Sequence, residues 1–173
     1  SPQVTATTSM AEALAGAEAC VVVTPSAYLR STAVSLQGLL PAELPVVICS
    51  KGVEAGTGAL PAEVFAEELG NPIRIGVLSG PTHAEEVIHR VPSGAVSAAT
   101  SAGTALFFRS LFATDYFRTY TSEDVVGVEL CGAFKNVIAI AVGIAYGLGM
   151  GDDTAAMLIT RGLAEMSRMV EQC

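Results

Sequence analysis

The chain has 173 residues, of which 51% are hydrophobic and 15% are charged, and its formal net charge at pH 7 is −8. This apolar content is enough for one well-packed domain or for one and a half small ones, and it excludes an intrinsically disordered chain, which would be polar and highly charged. Nine Lys and Arg residues stand against seventeen Asp and Glu residues without forming a basic run, so we expect no nucleic-acid partner.

Three features of the sequence bear on where the protein works. The N-terminal segment has no charged region followed by an apolar one, so we expect no signal peptide. The uncharged stretch 136–151 is shorter than the roughly 20 residues of a membrane span, and we interpret it as a buried helix rather than a span. The cysteines form no CxxC pair, which argues against a metal site and favours a reduced, cytoplasmic setting. They are Cys20, Cys49, Cys131 and Cys173.

Five apolar segments predict β-strands. They are residues 17–24, 45–50, 73–79, 93–99 and 116–120. The first three are near-continuous apolar runs rich in β-branched residues, which is typical of strands buried on both faces, as in a parallel sheet flanked by helices. The predicted fold class is therefore α/β, because the intervening segments have about the length that βαβ units require.

The segments between these strands predict helices. Ser9 and Glu12 have the spacing of a capping box and begin a short helix. Thr82 and Glu85 repeat that spacing after the third strand. Further helices are predicted over residues 27–40, 62–69 and 102–112.

The pattern changes after Tyr120. Hydroxyl and acidic side chains at 121–124 predict a helix start, and an Ala-, Ile- and Val-rich helix follows to about Tyr146. A glycine-rich break separates it from a last helix that begins with Asp152 as a cap. We therefore place a domain boundary near Tyr120. The predicted domains are an α/β domain over residues 1–120 and an all-α domain over residues 121–173.

Two turns that follow predicted strands are candidates for ligand binding, because ligands of open α/β sheets bind beyond the carboxyl ends of the strands. Lys51 follows the second strand and would supply a cation for a phosphate or a developing alkoxide; the alternative is a solvated turn lysine. Gly80 ends the third strand, where it would let another group approach the backbone closely. Free N–H groups near Thr82 would face the same edge, and the alternative is a plain turn with Thr82 as the N-cap.

The third candidate is Lys135, which lies in the predicted helix after Tyr120. It is the only basic residue between Arg118 and Arg161, and it leads into the uncharged stretch. If its amine is buried there, it would give or take a proton near neutral pH. The alternatives are that the side chain reaches solvent, or that it pairs with Glu129 or another acid.

Six segments of the sequence form a recognisable pattern, and the resemblance that they carry extends from about Thr5 to the last residue. The most specific of them, residues 127–141, reads GVELCGAFKNVIAIA. The others are GMGDDT at 149–154, LITRGLAEM at 158–166, VTPS at 23–26, SKG at 50–52 and LSGPTHAEEV at 78–87. In this order they resemble the signature of the bacterial type of NAD(P)-dependent glycerol-3-phosphate dehydrogenases.

This resemblance implies an enzyme that interconverts dihydroxyacetone phosphate and sn-glycerol 3-phosphate with NAD or NADP, for glycerophospholipid synthesis. It implies that Lys135 is the catalytic lysine, which exchanges a proton with the substrate oxygen. Substrate contacts are implied for Lys51, Gly80, Thr82, Lys135 and Asn136. Cofactor contacts are implied for Lys51, Ala84 and Pro25, and no metal site is implied.

Two features of the family signature are missing from this sequence. Members of the family begin with a GxGxxG-type turn that holds the cofactor pyrophosphate, and this chain contains no such turn. The chain also stops before an Asp and an Arg-Asn pair that complete phosphate binding in the family. The resemblance therefore implies a central fragment, namely the second half of a Rossmann-like parallel sheet domain followed by the first helices of an all-α substrate domain.

Such a fragment leads to further expectations. Its uncovered sheet edge and its exposed helix face predict a homo-oligomer. The missing pyrophosphate turn predicts that NADH binds weakly or not at all. Two alternatives to the proposed activity stay open, a related two-domain hydroxy-acid or keto-acid dehydrogenase and a catalytically silent fragment.

Overall fold

The computed structural model describes residues 4–70 and 74–172, over which a five-stranded sheet is followed by two long helices. The strands are β1 (Cys20–Val22), β2 (Val46–Ile48), β3 (Ile75–Ser79), β4 (Ser93–Ala99) and β5 (Phe117–Ser122). The helices are α1 (Met10–Leu14), α2 (Leu29–Leu36), α3 (Pro61–Leu69), α4 (Ala84–Ile88), α5 (Ala102–Phe112), α6 (Val125–Gly147) and α7 (Asp152–Val170). The predicted α/β class with a following helical region is therefore confirmed. The predicted strand start at Ile73, residues 1–3 and Cys173 lie outside the described residues.

The strands are ordered β1-β2-β3-β4-β5 in the sheet. Three of the pairings, β1–β2, β2–β3 and β4–β5, are parallel as predicted, whereas β3 and β4 are antiparallel. The reason lies in α4, whose five residues span only about 7.5 Å. A parallel β4 would require the connection to run the full length of β3, roughly 16 Å, back to the end where β3 starts. Because α4 is shorter than that, β4 starts near the end of β3 and runs antiparallel to it.

The centre of the sheet, β2 and β3, is buried on both faces, as the apolar strands predict, whereas β1 and β5 each leave one face partly exposed. On one face, Ile75 and Val77 of β3 belong to a core cluster that also contains Phe65 of α3. On the other face, a Cβ at Gly76 would lie 2.9 Å from the ring of Phe108 in α5. Because neighbouring residues of a strand point to opposite faces, these contacts place α3 and α5 on opposite sides of β3.

Several predicted helix boundaries differ from the structure. The helix predicted over 27–40 divides into a 3₁₀ turn at Ser26–Tyr28 and the shorter helix α2. Thr82 does not cap α4, because that helix begins at Ala84 with His83 at the N-cap and no capping side-chain bond. Asp152 lies in the first turn of α7, and its N-cap is Gly151. The largest error is at the end of the helix predicted over 27–40, which extends four residues beyond α2. The predicted caps at Thr82 and Asp152 each lie one residue from the observed N-cap.

The predicted burial of the stretch 136–151 is wrong. Val137, Ile140 and Ile144 on this part of α6 have 62%, 64% and 58% of their surface exposed. By length and composition, α6 is also able to cross a membrane, since its most apolar window has a mean hydropathy of 1.8 and is only 17% buried. Hydropathy reports the composition of a helix and not what covers it, so the absence of a membrane span stays a prediction.

Candidate active site

The ends of the first two strands are joined at one edge of the sheet. The hydroxyl of Ser50, just beyond β2, donates a hydrogen bond to the backbone carbonyl of Thr24, just beyond β1. A Cβ at Gly52 would lie 3.5 Å from the side chain of Ser26, so the two turns lie close together. Lys51 is therefore held on a turn that is fastened to the turn carrying Pro25.

Gly80 lies where β3 and β4 come closest at the same edge. A Cβ at this position would overlap the carbonyl oxygen of Gly94 and would lie 2.8 Å from Cα of Ala95. These obstacles are backbone atoms, so they do not move aside easily. The predicted close approach at Gly80 is thus confirmed, and the approaching group is the backbone of β4.

Helix α6 crosses this edge of the sheet through Gly132. A Cβ on Gly132 would overlap the hydroxyl of Ser79 at the end of β3, and it would lie 4.0 Å from Cγ of Lys51. The glycine therefore lets α6 lie directly on the strand end and beside Lys51. One helical turn later, Lys135 lies at the same crossing.

The ammonium groups of Lys51 and Lys135 act on each other electrostatically. Burial lowers the pKa of Lys51, and the positive charge of Lys135 lowers it further, while the Cys49 thiol acts in the opposite direction. Burial also raises the pKa of the Cys49 thiol to about 11, so this thiol is neutral at pH 7. The two lysines therefore place positive charge at one edge of the sheet, as a site for an anionic ligand requires.

A cavity of about 640 Å³ opens beside Lys135, between the sheet edge and the two long helices. Gly80 and Lys135 both line it, together with residues of β3, β4, α6 and α7. The side chain of Lys135 is half-buried, and its ammonium donates a 2.8 Å hydrogen bond to the amide oxygen of Asn136. Lys135 thus faces a space large enough for a small ligand and does not extend freely into solvent.

The structure gathers only some of the residues that the sequence singled out. Gly80 and Lys135 line the cavity, and Lys51 approaches it from behind Gly132. Thr82 is half-buried beyond Gly80, whereas Pro25, Ala84 and Asn136 are exposed. These four do not line the cavity. The substrate and cofactor contacts implied for all seven residues stay predictions.

Glu129 is a residue of α6 whose environment sequence reasoning missed. Only 6% of its surface is exposed, and Oε1 accepts a 3.0 Å hydrogen bond from the backbone N–H of Ala62. Burial raises its pKa to about 7, an effect that the Ala62 bond opposes and the nearby charge of Glu63 reinforces. The alternative in which Glu129 pairs with Lys135 is wrong, because Lys135 bonds to Asn136 instead. The sequence did contain a signal for this buried acid, since Glu129 is the single charged residue in the apolar run GVELCG.

Comparison with known proteins identifies relatives over almost the whole chain. A family model described as the NAD-dependent glycerol-3-phosphate dehydrogenase N-terminus matches residues 1–105, and the corresponding C-terminus model matches residues 124–173. A glycerol-3-phosphate dehydrogenase (NAD(P)+) of Thermobifida fusca is 49% identical over 169 residues, which is 97% of this chain and 50% of the relative. One of Shouchella clausii is 45% identical over 94% of this chain and 48% of the relative.

A solved structure shows the same fold. The glycerol-3-phosphate dehydrogenase of Coxiella burnetii superimposes with a TM-score of 0.84 at 35% sequence identity. The superposition covers 94% of this chain and 50% of the Coxiella chain. The chain thus spans about half the length of the curated relatives and of the solved structure that it matches.

Proposed function

This chain belongs to the NAD-dependent glycerol-3-phosphate dehydrogenase family, and from that premise we propose that it forms the catalytic centre of an enzyme that interconverts dihydroxyacetone phosphate and sn-glycerol 3-phosphate. The observation that carries the proposal is the convergence of Lys51, Lys135 and Gly80 at one sheet edge beside the cavity. A phosphorylated substrate is dianionic, and two cations at a cavity match that charge.

The residues at this edge fit part of an NAD or NADP site. The carboxyl ends of the parallel strands β1 and β2 meet there, which is where open α/β sheets bind dinucleotides. The half-buried cation of Lys51 and the adjoining turn at Pro25 would hold the cofactor. When bound, the cofactor supplies the hydride for reduction or accepts it for oxidation.

Lys135 and Lys51 have separate tasks in the proposed reaction. As the carbonyl carbon of dihydroxyacetone phosphate gains a hydride, negative charge develops on its oxygen. The ammonium of Lys135 donates a proton to that oxygen, which completes the alcohol; in the oxidation, the neutral amine takes the proton back. Lys51 stabilises the developing charge and the phosphate through its own positive charge.

A substrate assay tests this function. The full-length protein that carries this sequence is mixed with dihydroxyacetone phosphate and NADH or NADPH, and loss of the reduced nicotinamide is followed by absorbance. We expect turnover with the phosphorylated triose and little with unphosphorylated hydroxy or keto acids. Turnover with a hydroxy or keto acid alone would identify a related dehydrogenase instead, and no turnover with any substrate would contradict an enzymatic role.

The same proposal includes a metabolic role, a cellular location and an oligomeric state. Formation of sn-glycerol 3-phosphate would serve glycerophospholipid synthesis, since this compound is the backbone of those lipids. A cytoplasmic location is supported by Cys20, Cys49 and Cys131, which are free thiols. A homo-oligomer is supported by the exposed apolar residues of α6. Multi-angle light scattering measures the mass of the protein in solution. We expect the mass of two or more chains, and the mass of one chain would contradict the proposal.

A further inference from the structure

The start of helix α3 is capped from another helix. Its N-cap residue is Leu60, whose side chain has no hydrogen-bond acceptor, although helix starts usually use Ser, Thr, Asp or Asn. The acceptor comes instead from Glu129 of α6, whose Oε1 binds the N–H of Ala62 at 3.0 Å. This single bond joins residues that are 67 positions apart in the chain.

This hydrogen bond shortens the path along the chain between the two lysines, because it links the segment after Lys51 to the helix turn before Lys135. Lys51 leads through the loop 52–60 to α3, while Glu129 precedes Lys135 by six residues on α6, about 9 Å along the helix axis. At its other side the loop is held to α2, because Arg30 binds the carboxylate of Glu54 at 2.7 Å and 2.8 Å. Glu129 thus adds a hydrogen bond between α6 and the start of α3, where the Lys51 loop ends, to the apolar packing of both helices against the core.

We propose that Glu129 is a positioning residue that holds the Lys51 loop against α6 and thereby sets the spacing of Lys51 and Lys135. The close approach at Gly132 supports this assignment, since a Cβ built there, between positions 129 and 135, would lie 4.0 Å from Cγ of Lys51. For its effect on turnover, the inference rests on the proposed dehydrogenase function. Its effect on Lys51 does not depend on that function.

Stability alone does not explain a carboxylate at this position. Glu129 is more than nine-tenths buried, and within the described part of the chain its Oε2 has no hydrogen-bond partner. A buried carboxylate oxygen without a partner costs stability, and a serine or asparagine at position 60 would cap α3 without that cost. The buried acid therefore has a role that a local cap cannot provide, namely the connection to α6.

Titration of Lys51 tests this role without requiring activity. Lysines of the full-length protein are reductively methylated with ¹³C, the Lys51 signal is assigned by its loss in Lys51→Arg, and its pKa is followed by NMR. Burial and the charge of Lys135 lower the Lys51 pKa, and neither depends directly on Glu129, so a change in that pKa caused at Glu129 reports movement of the loop. Glu129→Gln keeps an oxygen that accepts the hydrogen bond from Ala62. Glu129→Leu removes this acceptor but keeps a side chain of similar size.

We expect Glu129→Leu to raise the Lys51 pKa toward its ordinary value and to lower kcat/KM at least tenfold. Glu129→Gln should keep the Lys51 pKa close to that of the unmodified sequence. Glu63→Gln is the matched control, because Glu63 also accepts a bond at the start of α3, but from the N–H of Leu60, so that this bond does not link α3 to α6. It should leave the Lys51 pKa unchanged.

The proposal is overturned if a folded Glu129→Leu protein keeps the Lys51 pKa, or if Glu63→Gln shifts it equally. Should Glu129→Leu fail to fold, Glu129→Asp decides the matter, since its shorter side chain cannot hold the loop at the same distance. A Lys51 pKa that moves in the Asp variant but not in the Gln variant supports the proposal, and no movement in either overturns it. If the protein turns over no substrate, the proposed function fails while the titration still judges the positioning role.

Discussion

Replacement of Lys135 with methionine is expected to lower kcat/KM for dihydroxyacetone phosphate by about a thousand-fold, within the range of 10²–10⁴ that a general acid usually contributes. The methionine side chain fills a similar space beside the cavity but cannot give a proton to the substrate oxygen. It also removes one of the two positive charges at the sheet edge. Steady-state assays with NADH as the second substrate measure the change.

The control for this substitution is Arg161→Met on α7. Arg161 is also basic, but its side chain is 68% exposed and pairs with Glu165, one turn later on the same helix. Its replacement should change kcat/KM less than about twofold, because an exposed ion pair of this kind contributes little. A Lys135→Met protein that keeps a tenth or more of the original turnover would remove Lys135 from the reaction.

Replacement of Glu129 with glutamine is expected to change how stability depends on pH. Burial raises the pKa of Glu129 from 4.5 to about 7, with Glu63 as the nearby charge that adds to the effect. Between these two pH values the folded protein binds more protons than the unfolded one, so stability falls as pH rises and levels off above about pH 7. The loss amounts to about 3 kcal/mol, and it is absent in the glutamine variant, which does not titrate.

Urea unfolding of both proteins at pH 4.5 and pH 8 measures this effect. The free energy of unfolding of Glu129→Gln, relative to that of the unmodified sequence, should rise by about 3 kcal/mol between the two pH values. Glu165→Gln serves as the control, because Glu165 lies on the exposed surface of α7 and should show no such rise. A pH-independent difference between Glu129→Gln and the unmodified sequence would mean that Glu129 titrates normally in the folded protein.

The bounds of a helix or strand could be predicted from the sequence where residues next to its ends mark a change in the hydrophobic pattern. Strand 93–99 and helix 102–112 have the predicted bounds, since a turn separates two patterns of clearly different period. The antiparallel pairing of β3 and β4 could not be predicted in the same way, because it depends on how far a short helix carries the chain. The exposure of α6 could not be predicted either, since a uniformly apolar helix shows no preferred face.

The candidate site was predicted to a similar extent. Sequence order placed Lys51 and Gly80 after neighbouring strands, and the parallel pairing of β2 and β3 brings those strand ends to one edge. The place of Lys135 came from the family motif, and the structure adds the reason it reaches that edge, which is the contact between Gly132 and Ser79. The hydrogen bond between Glu129 and Ala62 could not be predicted from the sequence, since no spacing rule relates two residues so far apart in the chain.

The two ammonium groups at the sheet edge have a consequence for how a ligand leaves. They repel each other, an effect that adds to burial in lowering the pKa of Lys51, and they belong to separate elements of the fold. A phosphate dianion lying between them would act as their counter-ion and draw the elements closer. As such a ligand begins to leave, the repulsion that it screened would return and favour a wider mouth, so the charges that attract an anion would also assist its release.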